Sequence, residues 1–206
     1  MDEIKYQQFL DYIKPRMEEL REDLVGLPIN AFKKVGDFGC GWGFTTWCLM
    51  REIPNSECIG IDKFDPENPP TWSNDFSLEY VQNWYKEIDA NNYPDFRQGD
   101  IVKGENLPSD FDLIYCKRVL YNIFLTKGES ELIQAINHIV QALKPNGWFC
   151  LIEIQESNFK AVLEDSLTQT NFEFNPPRCL YRPYETLEGK DDKYPYLIYQ
   201  CKKIKY

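Results

Sequence analysis

The sequence predicts an α/β protein with a doubly wound, mostly parallel sheet and helices on both faces. Short apolar runs alternate with longer segments of helical period along most of the chain, which is the pattern of parallel strands joined by crossover helices. A glycine-rich loop joins the first apolar run to the next helical segment, and the last two strand-like segments follow one another directly. We therefore expect about seven strands, the last of them antiparallel, preceded by an N-terminal helical arm.

The length and the charge narrow the class of protein. A chain of 206 residues with 43% hydrophobic residues is long enough for a single domain with its own core, which we divide into an arm at residues 1–30 and a core at residues 31–206. The formal net charge of −10 argues against a surface that binds phosphate backbones, because such a surface needs clustered Lys and Arg. No nucleic acid partner is expected, and the oligomeric state is left open.

The cysteines and the apolar runs indicate the compartment. No run reaches the ~18 apolar residues of a membrane span, and the acidic start at Met1 to Glu3 is unlike a basic signal peptide. The seven cysteines are an odd number without a C-x-x-C pair, so they are interpreted as buried thiols rather than a disulfide framework or a metal site. We expect a cytoplasmic protein without a membrane partner or a bound metal ion.

The N-terminal segment has the period of an amphipathic helix. Its apolar residues are spaced alternately by four and three positions: Tyr6, Leu10, Ile13, Met17, Leu20 and Leu24. Because proline disrupts a helix interior but suits a first helical position, Pro15 predicts one helix to about Ile13 and another from about Pro15. The arm either packs on the sheet or closes over a cleft, and the sequence leaves both alternatives open.

The central part of the chain alternates between strand and helix. The predicted strands are 32–38, 57–61, 96–99, 111–116 and 148–154, and the predicted helices are 44–53, 76–88, 129–143 and 159–167. A Lys-Pro-Asn-Gly turn at residues 144–147 separates the third of these helices from the fifth strand. Three prolines within residues 63–74 predict a long loop.

The C-terminal part follows a different pattern. Residues 172–181 and 194–203 are strand-like, and the charged stretch between them, residues 185–193, has no helical period. Two strands joined in this way are most simply antiparallel neighbours at one edge of the sheet.

The glycine-rich loop is the first candidate for a binding site. The run from Val35 to Gly43 ends a predicted strand and places glycines at 39, 41 and 43, where the backbone turns sharply and approaches a ligand that any Cβ would touch. The helix that follows would direct its N–H groups toward that ligand. A lone glycine-rich loop is equally often a tight turn without a ligand.

Acidic residues at successive strand ends favour a ligand over a simple turn. Asp62 ends the second predicted strand and Asp100 the third, and ligands of open α/β sheets bind beyond these carboxyl ends. A carboxylate such as Asp62, about 20 positions after the glycines, is suited to accept from both ribose hydroxyls. Asp100 is suited to accept from an exocyclic amine such as that of adenine. Each aspartate alone is more often a turn former or a helix cap.

Five ordered motifs resemble those of the class I S-adenosylmethionine-dependent methyltransferases. The motifs are Asp37 to Gly43, Ile59 to Asp62, Gln98 to Ile101, Phe111 to Cys116 and Leu143 to Trp148. The G-x-G-x-G spacing differs from the G-x-G-x-x-G of nicotinamide enzymes. The resemblance covers about Lys34 to Ile154, and the terminal strands fit the same family. It implies a Rossmann-like fold with S-adenosylmethionine as cofactor. The long stretch between the second and third motifs departs from the family's pattern, so the cofactor rim and the substrate pocket are left undefined.

The resemblance also implies roles for individual residues. The family's glycines pass close to the methionine part of the cofactor, its second motif holds the ribose and its third contacts the adenine amine. Carried over residue by residue, the implied cofactor contacts are Asp37, Gly39, Cys40, Gly41, Asp62, Lys63, Asp100, Ile101 and Cys116. Because the sulfonium already activates the methyl group, the protein mainly aligns the acceptor and excludes water.

The acceptor is less defined than the cofactor. The segment after the fourth strand lacks both the Asn-Pro-Pro-Tyr of DNA N-methylating enzymes and the metal-binding Asp of catechol-type enzymes, and it is similar to the small-molecule branch. The weak candidates for a catalytic group are Lys117, Tyr121 and Glu153, each equally well explained as a surface charge, a core aromatic or a helix cap. The aromatic residues available for a pocket are Tyr12, Trp42, Trp72 and Trp84. His138 is predicted to point into solvent and is not considered a base.

We therefore expect methyl transfer to an oxygen or nitrogen of a small molecule or a short peptide. A protein side chain is an alternative acceptor, because the acidic surface would suit a basic partner. A non-catalytic subunit that binds the cofactor and an aminopropyl transferase of the same fold are further alternatives.

Overall fold

The protein folds into one eight-stranded sheet covered by helices. The structure, a computed structural model, describes residues 3–65, 77–170, 172–183 and 193–204. The strand order is β3-β2-β1-β4-β5-β8-β6, with β7 also paired to β8. Strands β1 to β5 are mutually parallel, and β8 runs antiparallel to β5, β6 and β7. This arrangement confirms the predicted fold class.

The elements follow the predicted alternation. The strands are β1 (Lys34–Phe38), β2 (Glu57–Asp62), β3 (Asp95–Gln98), β4 (Phe111–Lys117), β5 (Leu143–Ile154), β6 (Phe172–Phe174), β7 (Arg178–Pro183) and β8 (Lys193–Lys203). The helices are α1 (Glu3–Leu24), α2 (Phe44–Glu52), α3 (Leu78–Ile88), α4 (Leu120–Lys127), α5 (Glu129–Ala142) and α6 (Ser157–Thr168), with a short 3-10 helix at Ile29–Ala31. None of the described helices combines the length and the apolar character needed to span a membrane.

Two apolar cores lie on opposite faces of the sheet. One contains buried residues of α1, α2 and α3, such as Ile13, Leu49 and Val81. The other contains residues of α4, α5 and α6, such as Leu120 and Ile136. Helices therefore cover both faces, as a doubly wound sheet requires.

The predicted break at Pro15 is wrong, because α1 runs through the proline as one helix. A proline in a helix interior costs about 3 kcal/mol. Tertiary packing offsets this cost, since Ile13 and Leu20 on either side are buried and the rings of Phe9 and Trp47 meet edge to face at 5.2 Å. The arm thus packs firmly onto α2.

Three local differences have physical causes. Helix α4 was not predicted, although Leu120 and Ile123 bury one of its faces and a glycine with a φ of +99° ends it. Two prolines at 176 and 177 interrupt the predicted strand 172–181, giving β6 and β7, because proline lacks the N–H that pairs in a ladder. Strand β5 begins at Leu143 because the predicted turn is an irregularity within the strand, with Asn146 at a φ of +64°.

Two sequence-based expectations about side chains are also corrected. His138 is half-buried, and its Nδ1 lies 3.0 Å from the carbonyl oxygen of Ile101. The chain after β3 folds over α5, a tertiary contact that helical period alone does not contain. Six of the seven cysteines are buried free thiols, but Cys179 is exposed on β7. Most of the predicted loops 63–74 and 185–193 lies outside the described residues.

Candidate functional site

The predicted ligand-binding residues meet where β1, β2 and β3 end. The Oδ2 of Asp62 accepts a hydrogen bond of 2.9 Å from the Gly41 N–H, and its Oδ1 accepts from the Lys63 N–H at 2.7 Å. Burial raises the pKa of Asp62, and these backbone donors act against that shift. A carboxylate has about four acceptor sites, so Asp62 holds the glycine loop and still has capacity for a ligand hydroxyl.

The glycine loop needs its glycines for two different reasons. Gly39 has a φ of +75°, and a Cβ at this position would lie 2.3 Å from Cγ2 of Val119. Gly41 has a φ of +54°, but a Cβ there would meet no atom within 4 Å. Gly39 therefore lets the loop pack against the start of α4, whereas Gly41 is required by the backbone conformation and borders open space.

Asp37 lies beneath the loop. Its carboxylate is 2% exposed and accepts a 2.7 Å hydrogen bond from the Thr46 hydroxyl of α2. Burial raises the pKa of Asp37 to about 7. The residue ties β1 to α2 and lines neither of the two cavities described below.

Asp100 is engaged with its own turn and with Lys63. Its Oδ1 accepts from the N–H groups of Val102 and Lys103, and its Oδ2 lies 3.0 Å from Lys63 Nζ. Burial opposes ionisation, but the Lys63 ammonium and the backbone donors outweigh it and lower the pKa of Asp100. Because Gly99 N also donates to the Asp62 carbonyl at 2.9 Å, the two aspartates lie at the same edge of the sheet.

A cavity of about 360 Å³ opens beside these strand ends, and we call it the strand-end cavity. Five of the predicted cofactor or catalytic residues line it: Gly39, Asp62, Lys63, Ile101 and Lys117. Its opposite wall comes from α4 and the residues before it, including Val119 and Ile123. The lining also includes four cationic residues: Lys63, Lys117, Arg118 and Lys127. A hollow with a carboxylate at one strand end and apolar side chains beside it is suited to a nucleoside.

A second cavity of about 440 Å³ adjoins the first, and we call it the arm cavity. Helix α1 forms one wall, and residues of α2, β4, β7 and β8 form the others. The two cavities share four residues: Gly39, Lys117, Arg118 and Asn122. The arm thus both packs on the protein and encloses a cleft, so each sequence-based alternative describes part of its role.

Ion pairs fix α1 as a wall of the arm cavity. Lys117 Nζ lies 2.6 Å from Oε2 of Glu19. Arg182 Nη2 lies 2.7 Å from Oδ1 of Asp23, and the Tyr115 hydroxyl donates to the other oxygen of Asp23 at 2.7 Å. Burial raises the pKa of Asp23, and the hydrogen bonds from Arg182 and Tyr115 act against that shift.

Several predicted residues lie away from both cavities. Glu153 is fully buried, and its Oε1 accepts from the N–H groups of Leu120 and Tyr121. It caps the start of α4, and burial raises its pKa to about 8. The ring of Tyr121 packs on Phe159 with centroids 5.2 Å apart, and the Cys116 thiol is buried in the core. These placements favour structural roles for the three side chains.

The aromatic pocket candidates also pack elsewhere. The Arg16 guanidinium lies 3.8 Å from the ring centroid of Tyr12. Trp42 meets Tyr80, and Trp84 meets Phe9, both edge to face. Trp72 lies outside the described residues. Phe44, the first residue of α2, lines the arm cavity instead.

Sequence reasoning missed four charged residues of the arm cavity: Arg16, Glu19, Arg118 and Arg182. Arg16 and Glu19 lie on a helix whose cleft-facing side could have been found only by treating Pro15 as part of one helix. Arg182 lies in the sequence far from every motif, so no local signal marks it.

Comparisons with known structures place this geometry in a known fold. The magnesium protoporphyrin IX methyltransferase of Synechocystis, solved with bound S-adenosylmethionine, matches with a TM-score of 0.60 and 15% identity, over 92% of this chain and 78% of that one. The N-methyltransferase NodS of Bradyrhizobium japonicum, solved with S-adenosylhomocysteine, matches with a TM-score of 0.62 and 15% identity, over 93% of this chain and 87% of that one.

Comparisons with curated sequences give shorter matches. Trans-aconitate 2-methyltransferase of Rhodopseudomonas palustris is 38% identical over 56 residues, which is 27% of this chain and 22% of that protein. Malonyl-[acyl-carrier protein] O-methyltransferase of Calditerrivibrio nitroreducens is 25% identical over 71% of this chain and 47% of that protein. The aligned parts thus span between about a fifth and a half of these relatives.

A family model described as a methyltransferase domain matches residues 29–200. The chain therefore belongs to this family of class I S-adenosylmethionine-dependent methyltransferases. Membership confirms the family that the five motifs predict, a family that uses S-adenosylmethionine. The assignment of individual residues to the cofactor stays a prediction.

Proposed function

We propose that this chain transfers the methyl group of S-adenosylmethionine to a small-molecule acceptor held in the arm cavity. The observation that carries the proposal is the junction of the two cavities at Gly39 and Lys117. A nucleoside in the strand-end cavity and an acceptor in the arm cavity would meet at this junction, and the sulfonium of the cofactor would lie there.

We assign the cofactor contacts to groups around the strand-end cavity that still have hydrogen-bonding capacity or an apolar surface. Asp62 would accept from the ribose hydroxyls with the sites that the glycine loop leaves open. The apolar Ile101 and Val119, which face the same cavity, would flank the adenine. The Asp100 carboxylate is already paired with Lys63, so the adenine amine would have to share it. We therefore expect Asp100 to contribute less to cofactor affinity than Asp62.

The cofactor supplies an activated methyl group, and the protein positions the acceptor relative to it. A lone pair of the acceptor forms a bond to the methyl carbon while the S–CH₃ bond breaks, and the bonding electrons remain on sulfur. The protein's own work is to align the acceptor with that bond and to exclude water. The α1 wall, held by Glu19 and Asp23, closes the arm cavity on the side away from the sheet.

The size and enclosure of the arm cavity support a small acceptor. A volume of about 440 Å³ is in the range of pockets for small ligands. Related proteins are named for the methylation of trans-aconitate, malonyl-[acyl-carrier protein] and magnesium protoporphyrin IX, which supports an acceptor other than nucleic acid.

Two measurements test the proposal. Calorimetric titration with S-adenosylhomocysteine should give saturable binding, and titration with NAD should give none; binding of NAD alone would refute it. Incubation with S-adenosylmethionine labelled in the methyl group and a metabolite extract should then yield labelled low-mass products. Label only in protein would favour the protein side-chain alternative, and tight binding without any transfer would indicate a non-catalytic subunit.

A further inference from the structure

The arm cavity is positively charged in an acidic protein. The chain has a formal net charge of −10, yet among the described residues the lining has four cationic side chains and one carboxylate, Glu19; the cations are Arg16, Lys117, Arg118 and Arg182. Behind the lining, Asp23 and Glu22 pair with Arg182. A concentration of one charge sign in a cleft attracts ligands of the opposite sign. This reversal of charge indicates an anionic ligand.

Two nitrogens of Arg182, a residue in the lining of the arm cavity, have no acceptor among the described residues. The residue is 4% exposed, and its Nη2 alone makes the contacts to α1, at the Glu19 carbonyl, Glu22 and Asp23. Its Nε and Nη1 are buried, and no described residue accepts a hydrogen bond from either atom. Buried guanidinium N–H groups without acceptors are costly, and a carboxylate matches their fork geometry.

The described lining of the arm cavity offers no ready base. Glu19 is paired with Lys117 at 2.6 Å, and the Tyr115 hydroxyl donates to Asp23. Burial raises the pKa of Tyr115 and of the Cys40 thiol well above their ordinary values. A hydroxyl acceptor would need a proton removed, and a protonated amine would be repelled by the cations. A carboxylate is already deprotonated at neutral pH.

We propose that the acceptor is a small carboxylic acid, bound as its anion by Arg182 and Lys117 and methylated on a carboxylate oxygen. The inference rests on the proposed methyl transfer and specifies its substrate class. A carboxylate oxygen bonds to the methyl carbon, the S–CH₃ bond breaks and its electrons stay on sulfur. The products are a methyl ester and S-adenosylhomocysteine, and no proton is transferred.

The methionine carboxylate of the cofactor is the competing explanation for these cations. The methionine carboxylate is accompanied by an ammonium group, so this part of the cofactor brings no net negative charge to the lining. Arg182 lines the arm cavity and not the strand-end cavity, whereas Lys117 lines both. Binding of two cofactor fragments separates the two roles, as described below.

The first experiment identifies the acceptor class. The protein is incubated with methyl-labelled S-adenosylmethionine and a panel of mono-, di- and tricarboxylic acids, each paired with its carboxamide. We expect label in one or more acids and none in the matched carboxamides, and mild base should release that label as methanol. Label that is stable to base, or equal transfer to the amides, would overturn the inference while leaving the methyltransferase activity established.

The second experiment uses variants that shift affinity in opposite directions. Arg182→Lys keeps a charge beside Asp23 but removes the Nε and Nη1 donors, so the KM for the acid should rise about tenfold or more. Glu19→Gln removes the competing carboxylate from Lys117, so the KM should fall severalfold. A purely structural role for these residues predicts no fall in KM. An unchanged KM in both variants would overturn the inference, and Glu19→Gln keeps the test valid if Arg182→Lys fails to fold.

Two controls complete the design. Arg178 lies on the same strand as Arg182 and donates to backbone carbonyls of α1, but it does not line the cavity, so Arg178→Gln should leave the KM unchanged. Each variant is also titrated with S-adenosylhomocysteine and with 5′-methylthioadenosine, which lacks the amino acid part. If Arg182→Lys weakened only S-adenosylhomocysteine binding, Arg182 would belong to the cofactor and the inference would fail.

Discussion

The two cavities are neighbours but are built in different ways. The strand-end cavity is formed where parallel strands end, and its central contacts join a side chain to backbone, as in the hydrogen bond from Gly41 to Asp62. The arm cavity is formed by side chains from distant elements, held by the pairs of Lys117 with Glu19 and of Arg182 with Asp23. The first cavity therefore depends on where the strands end, and the second depends on contacts between side chains that are far apart in the sequence.

The largest effect on stability is expected from the removal of Asp23, which holds Arg182 at the arm cavity. Asp23→Ala leaves the Arg182 guanidinium, whose side chain is 5% exposed, without its closest carboxylate, and breaking a buried ion pair costs about 3–5 kcal/mol. We expect a loss of this size in the free energy of unfolding, measured by urea denaturation.

Asp23→Ala should affect stability more than cofactor binding. In protein that remains folded, affinity for S-adenosylhomocysteine should change much less than stability, because Asp23 lines neither cavity and lies behind the arm cavity. Arg21→Ala provides the control on the same helix, since the Arg21 side chain, which pairs with Glu52, is 58% exposed and the pair should matter little. Equal destabilisation by both variants would contradict the importance of the buried pair.

The next largest effect is expected at Gly39, which borders both cavities. Gly39→Ala places a Cβ 2.3 Å from Cγ2 of Val119 at a φ of +75°. The backbone conformation costs roughly 1–2 kcal/mol for a non-glycine residue, and overpacking adds about 1–3 kcal/mol. We expect the free energy of unfolding to fall by about 2–5 kcal/mol and cofactor affinity to fall with it.

A double variant separates the two parts of the Gly39 effect. Val119→Ala on the Gly39→Ala background removes the two methyl groups nearest to the added Cβ but not the backbone strain, so it should recover part of the lost stability. If the double variant were as unstable as the sum of the two single variants, the contact with Val119 would not be the reason for glycine at this position.

The strand-end cavity could be predicted from the sequence because its residues follow strand ends. Parallel strands have their carboxyl ends at one edge, so the order of the motifs along the chain places Gly39, Asp62 and Asp100 together without knowledge of any side-chain contact. What the sequence did not contain is the partner of each group. It did not reveal that the Val119 side chain fills the space where a Cβ of residue 39 would lie, or that Asp100 is paired with Lys63.

The arm cavity could not be predicted because it depends on long-range contacts. Treating Pro15 as a break concealed the continuous face of α1, since the packing that offsets the proline comes from other elements. Helix α4 could not be predicted because it is short and because Glu153 of β5 caps its N-terminus, rather than a neighbour in sequence. Arg182 lies in the arm cavity because β7 places it beside Asp23 of α1, a long-range contact that the sequence does not indicate.

A smaller effect is expected when the ribose contact of the strand-end cavity is removed. Asp62→Ala should weaken S-adenosylhomocysteine binding by roughly 1.5–3 kcal/mol, the size of a charge-assisted hydrogen bond, measured by calorimetry. Asp62→Asn is the matched variant, since its side-chain oxygen keeps an acceptor for the Gly41 N–H. A loss in the alanine variant that the asparagine variant fully restores would assign Asp62 to the loop, and unchanged affinity in both would refute the ribose role.

The smallest effect is expected at Asp100, whose carboxylate is already satisfied by the protein. Its folded pKa is lowered, so the carboxylate stabilises the fold above its ordinary pKa of about 3.9, and this contribution is lost as the pH falls through the lower folded value. Lys63 is 43% exposed, which limits the pair to about 0.5–1 kcal/mol. Asp100→Asn should therefore be less stable than the wild type at pH 7 by this amount, and the difference should shrink as urea denaturation is repeated toward pH 3. A difference that persists at pH 3 would assign the effect to the shape of the turn rather than to its charge.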